Sequence, residues 1–600
     1  MRSPLFYLVF SIILLTISHT QAQHQLIRKV YDTKSNTWVQ VTALFGKLPS
    51  HGYMPIRVEI NNGTKTDRNL NLNFISRDQA DFGSETGSKM SSSFQCSCAA
   101  GKLETYDFIV PVTTVFQTSS YGTDSELSMD LNCTGFPLVS ASMSSSTDHT
   151  WPAVIASKAI YTPNASSINA YLSSSSRSGG NIEFAGSFEP KKMPTDWRGY
   201  MGQEIIMLTS IDWTDLTPGA RTAILDWNRL GGRLLIYTTS EADTFASLQI
   251  SDKKTAAGGK EIQRGMGTVN LLTMKSSGNL DKAKTHSLLS TGATGNPAIA
   301  TEHYGLLYDF SSKWPLQDLI GKKHFNITFF ILLLLAFGIL IGPINLFVFA
   351  KSGKRHKLFI TTPIISLGAS VLLIIAILFQ DGFGGRGHRV VLMEIEPDDN
   401  KAYIIQEQIA RTGVLLGASF ETSEPTMITP VALTPSRWTR VVTDGTAPTS
   451  YEANDGEQGL DTSGDWYQSR SIHGHLLKTV RPTRGRIEVS PKAGAPVLSS
   501  TFDYDLDTIY YHAKDGTWWK ADALGKGNST TLTPTTAAKF NSWLSSQAKL
   551  FSSNNAHKIK AISSQPGRFY TLTENATATE TYKSIKWLST KTLITGRIGR

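Results

Sequence analysis

"GPINLFVFAKSGKRHKLFITTP", residues 342–363, decides how the rest of the chain is arranged. Gly342-Pro343 interrupts one apolar run, a short loop bears Lys351, Lys354, Arg355 and Lys357, and a second apolar run starts at Leu358. Residues 327–350 would make about 36 Å of helix and residues 358–380 nearly as much, enough to cross a hydrocarbon layer of about 30 Å. Neither run holds Lys, Arg, Asp or Glu. The sequence therefore predicts transmembrane helices over 326–350 and 358–380, joined by a basic loop at 351–357. Two helices enclose no pathway, and no ionisable group stands at mid-depth, so the pair reads as an anchoring hairpin. Gly342 and Pro343 should kink the first helix. Asn345 should hydrogen-bond to Thr361 or Thr362 across the hairpin.

Orientation has two independent cues. By the positive-inside rule the basic loop, with Lys351, Lys354, Arg355 and Lys357, is cytoplasmic. At the N-terminus, Arg2, an apolar run over residues 5–17, and Thr20 and Ala22 before a cleavage point read as a signal peptide, residues 1–22. Both cues put residues 23–325 and 381–600 on the extracytoplasmic side of a plasma (inner) membrane, in the periplasm where there is one.

With 600 residues, several folding units are expected. A chain that is 40% hydrophobic and 18% charged is too apolar for disorder and too polar for a polytopic membrane protein. The net charge of +9 is spread too thinly to suggest nucleic acid as a partner. Cys96, Cys98 and Cys133 are too few for a disulfide scaffold, although one of the first two could bridge to Cys133. A Cys-x-Cys metal site would need further ligands nearby, and none stands at the right spacing.

Residues 23–145 alternate with a period of two. Ile56, Val58 and Ile60 share one face, Leu70, Leu72 and Phe74 another, and "NNGTKTD" turns between them. This is the pattern of a β-sandwich. From about residue 146 the rhythm changes. "EIIMLTSI" (204–211) and "RLLIYT" (233–238) are short continuous apolar strands of the kind buried in a parallel sheet. Between them Thr217 can cap a helix that has Pro218 at its first position and ends at Gly231 and Gly232. Ala220, Ala223, Ile224 and Trp227 fall on one face of that helix, with Arg221 and Asn228 expected to face solvent or a partner. Residues 146–320 thus form an α/β domain. Residues 381–600 return to strands, among them a hairpin turning at Asp515-Gly516.

The segment "PTDWRGYMGQEIIMLTSIDWTDLTPGARTAILDWNRLGGRLLIY" and the hairpin quoted above resemble parts of bacterial envelope proteins that carry a class I glutamine amidotransferase-like, flavodoxin-like domain. In those proteins a sandwich precedes the domain, and a Gly-Pro hairpin and a β-rich domain follow it. The resemblance implies the same order here. It implies no established activity.

Catalysis of the amidotransferase kind needs a Cys on a strand-to-helix turn with a His nearby. All three cysteines precede residue 146, no Gly-x-Ser-x-Gly elbow replaces them, and His286 and His303 have no nucleophile to serve. Asp212 and Asp215 stand at the carboxyl end of a strand, where open α/β sheets bind ligands, and are the candidate ligand or partner contacts. Loop polarity and helix entry would also explain them. His473 and His475 share a strand face but lack a third metal ligand. Tyr510, Tyr511, Trp518 and Trp519 suggest a glycan-stacking strip, against which adjacent aromatics point to opposite faces. The acidic "EIEPDDN" (394–400) reads as a solvated turn.

The expected fold class is a multidomain α+β membrane protein: sandwich, flavodoxin-like domain, two-helix hairpin, β-rich domain. The expected function is a non-catalytic, membrane-anchored envelope protein that presents interaction or assembly domains. It calls for no cofactor or metal. Its partners are the lipid bilayer and other envelope or membrane proteins. The alternatives are an enzyme with a site assembled between domains, or an accessory subunit of a transport complex.

Overall fold

The computed structural model describes residues 24–78, 87–116, 123–147, 150–175, 183–240, 242–251, 261–275, 278–290, 301–312, 314–320, 327–349, 351–433, 448–455, 459–490, 494–563 and 565–599. The predicted signal peptide, residues 1–22, lies outside them. The protein is a β-rich multidomain chain with two apolar helices long enough to cross a membrane.

Near the N-terminus two sheets face each other. One is antiparallel and four-stranded, from His24–Asp32, Thr37–Ala43, Gly52–Asn62 and Lys102–Val112. The second contains Ser88–Cys98, Arg68–Asp78, Thr123–Cys133 and Val139–Thr147. The "NNGTKTD" turn joins strands that lie in different sheets, so it carries the chain across the sandwich rather than closing a hairpin. Phe94 of one sheet meets Phe108 of the other with ring centroids 4.9 Å apart. Cys96, Cys98 and Cys133 are all free thiols. Leu70 pairs with Cys96 on one side and Cys133 on the other, so a whole strand separates those two. Two inter-strand spacings make about 10 Å, beyond the reach of a disulfide. That corrects the bridge offered from sequence.

The second sheet does not end with the N-terminal segment. Its outer strands, Thr449–Asp455, Leu460–Gly464 and Phe420–Glu421, come from beyond the hairpin. Thr449–Asp455 pairs in parallel with Ser88–Cys98, with Tyr451 opposite Met90 and Glu452 opposite Ser91.

A six-stranded sheet follows in the order Gly186–Phe188, Val154–Ser157, Ile205–Thr209, Arg233–Thr238, Gly267–Thr273 and Glu261–Arg264. Every pairing is parallel except that of the last edge strand. The helix Pro218–Arg229 packs on this sheet through Ala220, Ala223, Ile224 and Trp227, each at most 2% exposed. Thr217 caps it, accepting from the Ala220 backbone N–H at 3.2 Å. Gly231, at φ +119°, ends it. A Cβ on Gly232 would lie 2.3 Å from the Trp227 ring, so only glycine lets the ring close over the chain. Asn228 departs from the expectation that it faces outward. It is fully buried, and its Nδ2 donates to Gly232 O at 2.7 Å and Thr268 O at 2.8 Å, tying the end of the helix to the neighbouring strand Gly267–Thr273.

The hairpin consists of Ile327–Ile339, which widens into π-helical turns over Leu340–Phe349, and the helix Leu358–Asp381. The wider turns contain Pro343, whose missing N–H removes one i→i−4 bond. Asn345 is buried between the helices, and its Nδ2 donates to Thr362 Oγ1 at 2.9 Å, one of the two partners expected from sequence. Elsewhere the pair is apolar and exposed on its outer surfaces, as at Leu335, Phe347, Phe359 and Leu367.

After the hairpin the chain enters a nine-stranded sheet at Gly385–Glu396, which lies between Lys401–Thr412 and Ile585–Arg597. Glu394 and Glu396, read from sequence as part of a solvated turn, belong to this strand and are 0% and 1% exposed. The turn proper covers only residues 397–400. Both faces of the strand are covered: Val390 and Leu392 join the main core, Val391 and Met393 a second one. The main core is continuous through Val41 and Leu72 of the sandwich, Trp227 of the α/β part, and Leu392 and Tyr570 of the nine-stranded sheet. Residues before and after the hairpin are thus packed into one body.

Candidate functional site at the domain junction

The helix Glu302–Ser312 sits where the parts of the body meet. Its first residue, Glu302, is held by two cations from beyond the hairpin. Lys478, on Ile472–Pro482, bonds to Oε1, and Lys558, on the helix Ser553–Ile562, lies 4.0 Å from Oε2. Burial alone would raise the Glu302 carboxyl, but Lys478 and Lys558 outweigh it and bring it down to about 2. The same burial depresses Lys558 to about 8.

Glu204 precedes the strand Ile205–Thr209, and the Glu302 backbone at the start of the helix acts to lower its carboxyl. That is a carboxylate at a helix N-terminus, a favourable place for it. Burial nevertheless dominates and lifts Glu204 to about 8, and its Oε1 is a buried atom without a hydrogen-bond partner. Glu204, Arg233, Glu302, Lys478, His557 and Lys558 line a cavity of about 130 Å³. That is room for a few waters or a small ion, well below the usual 300–1,000 Å³ of a drug-sized pocket.

A second carboxylate anchors the same junction. Glu407, on Lys401–Thr412, is fully buried. It accepts from Trp314 Nε1 at 2.8 Å, Ser552 Oγ at 2.5 Å, Asn555 Nδ2 at 2.6 Å and the Ser552 backbone N–H at 2.9 Å. These bonds pull its pKa down, yet burial outweighs them and the group is raised. Farther along, Arg229 at the end of Pro218–Arg229 reaches Glu396 and Glu394, while Arg568 Nη2 binds Glu394 at 2.7 Å. Burial would lower the Arg229 guanidinium, and the two carboxylates more than offset it.

Asp212 and Asp215 lie elsewhere. A capping box between Thr209 and Asp212 starts a short helix, Ser210–Asp215, where the sequence predicts loop polarity. Asp212 Oδ2 accepts from Thr209 N at 3.0 Å, Thr209 Oγ1 at 2.7 Å and Ser157 Oγ at 2.6 Å. Asp215 is exposed at the end of that helix. Both stand at the carboxyl ends of the parallel strands. The junction cavity, lined by Glu204, Arg233 and Gly267, is at their amino ends. Lys351, Lys354, Arg355 and Lys357 are exposed in the loop between the apolar helices.

His473 and His475 are buried with rings 6.4 Å apart, beside Tyr467, and burial lowers them to about 4 and about 3. Among the described residues no group of three His, Cys, Asp or Glu side chains could hold a metal ion. Tyr510 and Tyr511 are buried, and Trp518 stacks between His512 and Phe540, each 4.1 Å from its ring.

Sequence reasoning passed over Glu204, Glu302, Glu407, Lys478 and Lys558. The one usable signal was the ionisable residues inside otherwise apolar strands, as in "YIIQEQIA" around Glu407 and "HLLKTV" around Lys478. An ionisable group there has to find a partner from another segment.

No protein-family model matches the chain, and no curated protein sequence matches it. Solved structures show slight likeness, the following three among them. The yeast delta-COP-I mu-homology domain complexed with a WxWxV peptide is 9% identical over 35% of this chain and 95% of its own, with a TM-score of 0.17. The sporulation control protein Spo0M from Bacillus subtilis is 11% identical over 18% of this chain and 48% of its own, at 0.13. The Bacteroides uniformis beta-glucuronidase is 9% identical over 38% of this chain and 31% of its own, at 0.15. Likeness of this size assigns neither fold nor function.

Proposed function

We propose that the protein is a two-pass membrane-anchored envelope protein whose segments before and after the hairpin form one extracytoplasmic body that serves interaction or assembly, not catalysis. The parallel pairing of Thr449–Asp455 with Ser88–Cys98 carries this reading. Two strands of one sheet lie on one side of a bilayer, so the chain between them crosses it an even number of times. The two apolar helices meet that requirement, and their exposed surfaces leave no interior for a transport path. The basic loop and the N-terminal apolar segment support placing the body outside.

Within the body, the parallel strands run in the order 2-1-3-4-5 before the antiparallel edge strand joins, which supports a flavodoxin-like reading of that part. Its resemblance to amidotransferases does not extend to chemistry, because residues 146–320 hold no cysteine. The body's own charged residues are spent on holding segments together, as at Glu302, Glu407 and Arg229. Its partners are the bilayer and other envelope or membrane proteins.

The test replaces residues 327–381 with a short Gly/Ser linker. The shortened protein is expected to be water-soluble and to unfold at the same denaturant midpoint as the full chain in detergent. It should form no adduct with a glutamine-analogue inhibitor. Loss of the folded body, or a covalent adduct within residues 150–320, contradicts the reading.

One observation favours a second reading, a small-molecule site between domains. Glu204 and Lys558 are both brought to about 8 on the wall of one cavity, a position from which protons can be exchanged near neutral pH.

A further inference from the structure

Where the helix Leu358–Asp381 runs into the body, three segments converge around it. Residues 382–384 pair with the loop at 413–414: Gly384 N donates to Val414 O at 3.0 Å, and Val414 N to Gly382 O at 2.9 Å. On the other side Gly385 N donates to Ser584 O at 2.9 Å, and Tyr582 OH to Gly417 O at 2.6 Å. These bonds hold a rim at the foot of the nine-stranded sheet.

The rim carries large apolar side chains pointing into open space. Leu416 is 95% exposed, Phe383 68% and Leu588 52%. Nothing in the fold uses them, and exposing such groups to water is unfavourable. Trp587 stands beside them, half-buried, with Arg389 5.0 Å from its ring. The charge on the rim is mainly basic. Residues 382–388, 411–419, 466–475 and 581–592 include Arg386, Arg411, Arg470, Lys583, Lys586 and Lys591, while Asp381, Asp465 and Glu580 adjoin these segments and Glu580 is paired with Arg389. Arg386, Lys583 and Lys586 are exposed. The rim is also continuous with a helix long and apolar enough to span a membrane, and on that reading it lies beside the bilayer surface.

We infer that this rim seats the body on an anionic bilayer surface. Phe383, Leu416 and Leu588 enter the boundary between headgroups and acyl chains, and Arg386, Lys583 and Lys586 meet lipid phosphates. Apolar side chains bind that boundary by burial and basic ones by attraction to anionic headgroups, and the two add. Trp587 has the ring type favoured at this depth. The seat limits how far the body can tilt about the hairpin, which a two-helix anchor alone leaves free. The inference rests on reading the hairpin as a membrane anchor, and its test separates the two.

The full chain, with Ala at positions 96, 98 and 133, is labelled with one fluorophore at Leu416→Cys, Leu372→Cys or Asn528→Cys. Each is reconstituted into vesicles of phosphatidylcholine alone or of equimolar phosphatidylcholine and phosphatidylglycerol, with brominated acyl chains as quencher. The label at 372 should be quenched and the label at 528 untouched in both. The label at 416 should be quenched, more strongly in the anionic vesicles, and the excess should vanish when Arg386, Lys583 and Lys586 are all Ala. Quenching at 372 with none at 416 overturns the seat and leaves the anchor standing. Equal quenching at 416 in both vesicles overturns the role given to the basic residues. An unquenched label at 372 overturns the anchor and the seat with it.

Discussion

Arg229 Nη1 lies 3.5 Å from Glu394 Oε1, and neither side chain is more than 7% exposed. One residue precedes the apolar hairpin by about a hundred positions and the other follows it, so the pair ties together what the hairpin divides. Arg229 also binds Glu396, and in the same interface Tyr403 OH donates to Asp226 Oδ1 at 2.8 Å. Arg229→Ala leaves buried carboxylates short of a counter-charge and is expected to cost about 3–5 kcal/mol. Tyr403→Phe, which removes one hydrogen bond, should cost roughly 1–3 kcal/mol. Urea unfolding of the full chain in detergent measures both. No effect for Arg229→Ala would mean that the interface holds nothing together.

The helix Pro218–Arg229 offers a graded series. Trp227→Ala empties a site that is 2% exposed and should cost about 3–5 kcal/mol. Asn228→Ala removes two buried hydrogen bonds, to Gly232 O and Thr268 O, at about 1–3 kcal/mol. Thr222→Ala, on the exposed face, should stay within about 0.5 kcal/mol. The same unfolding experiment reads all three, and equal effects would contradict the packing.

That series also shows how far the sequence could be read. Trp227, Ile224 and the Thr217 cap follow from helical spacing and local chemistry, and each stands as its spacing requires. Asn345 finds Thr362 because a polar group in an apolar helix has few choices. Asn228 and Glu394 defeat the same rules because their partners come from other segments: Thr268 for one, Arg229 and Arg568 for the other. Local pattern counts a polar residue as outward-facing unless a distant partner is known. The sharing of one sheet by Ser88–Cys98 and Thr449–Asp455 is hidden for the same reason, since each reads equally well as an ordinary strand of its own domain.

Acid should act on Glu302 and Glu204 in opposite senses. Glu302 is brought down to about 2 from a usual value near 4.5, so its contribution is complete above about 4.5 and lost as the pH falls toward 2. Glu302→Gln should therefore destabilise the protein by about 3–5 kcal/mol at pH 7, and by much less near pH 2. Glu204 is raised to about 8, so the folded state favours its proton and stability falls as the pH climbs from about 4.5 to 8. Glu204→Gln should flatten that decline. Unfolding free energies across the pH range check both slopes, and a steeper decline in Glu204→Gln would contradict the burial of that carboxyl.

In the hairpin, Asn345→Ala removes the bond to Thr362 and should loosen helix–helix association by about 0.6–2 kcal/mol. Thr362→Ala should cost the same, and the double variant no more than either alone. A denaturing-detergent titration of the reconstituted protein reads this. Additive losses would mean that the two side chains do not act on each other.

The central claim is that the chain before and after the hairpin lies on one side of the membrane. Single cysteines replacing the exposed residues Lys65, Asn528 and Ser352, in a background with Ala at 96, 98 and 133, test it in intact cells, or in spheroplasts where an outer membrane intervenes. With a membrane-impermeant maleimide, positions 65 and 528 are expected to label and position 352 to label only after the membrane is opened. Labelling of 65 and 528 from opposite sides would contradict the account outright.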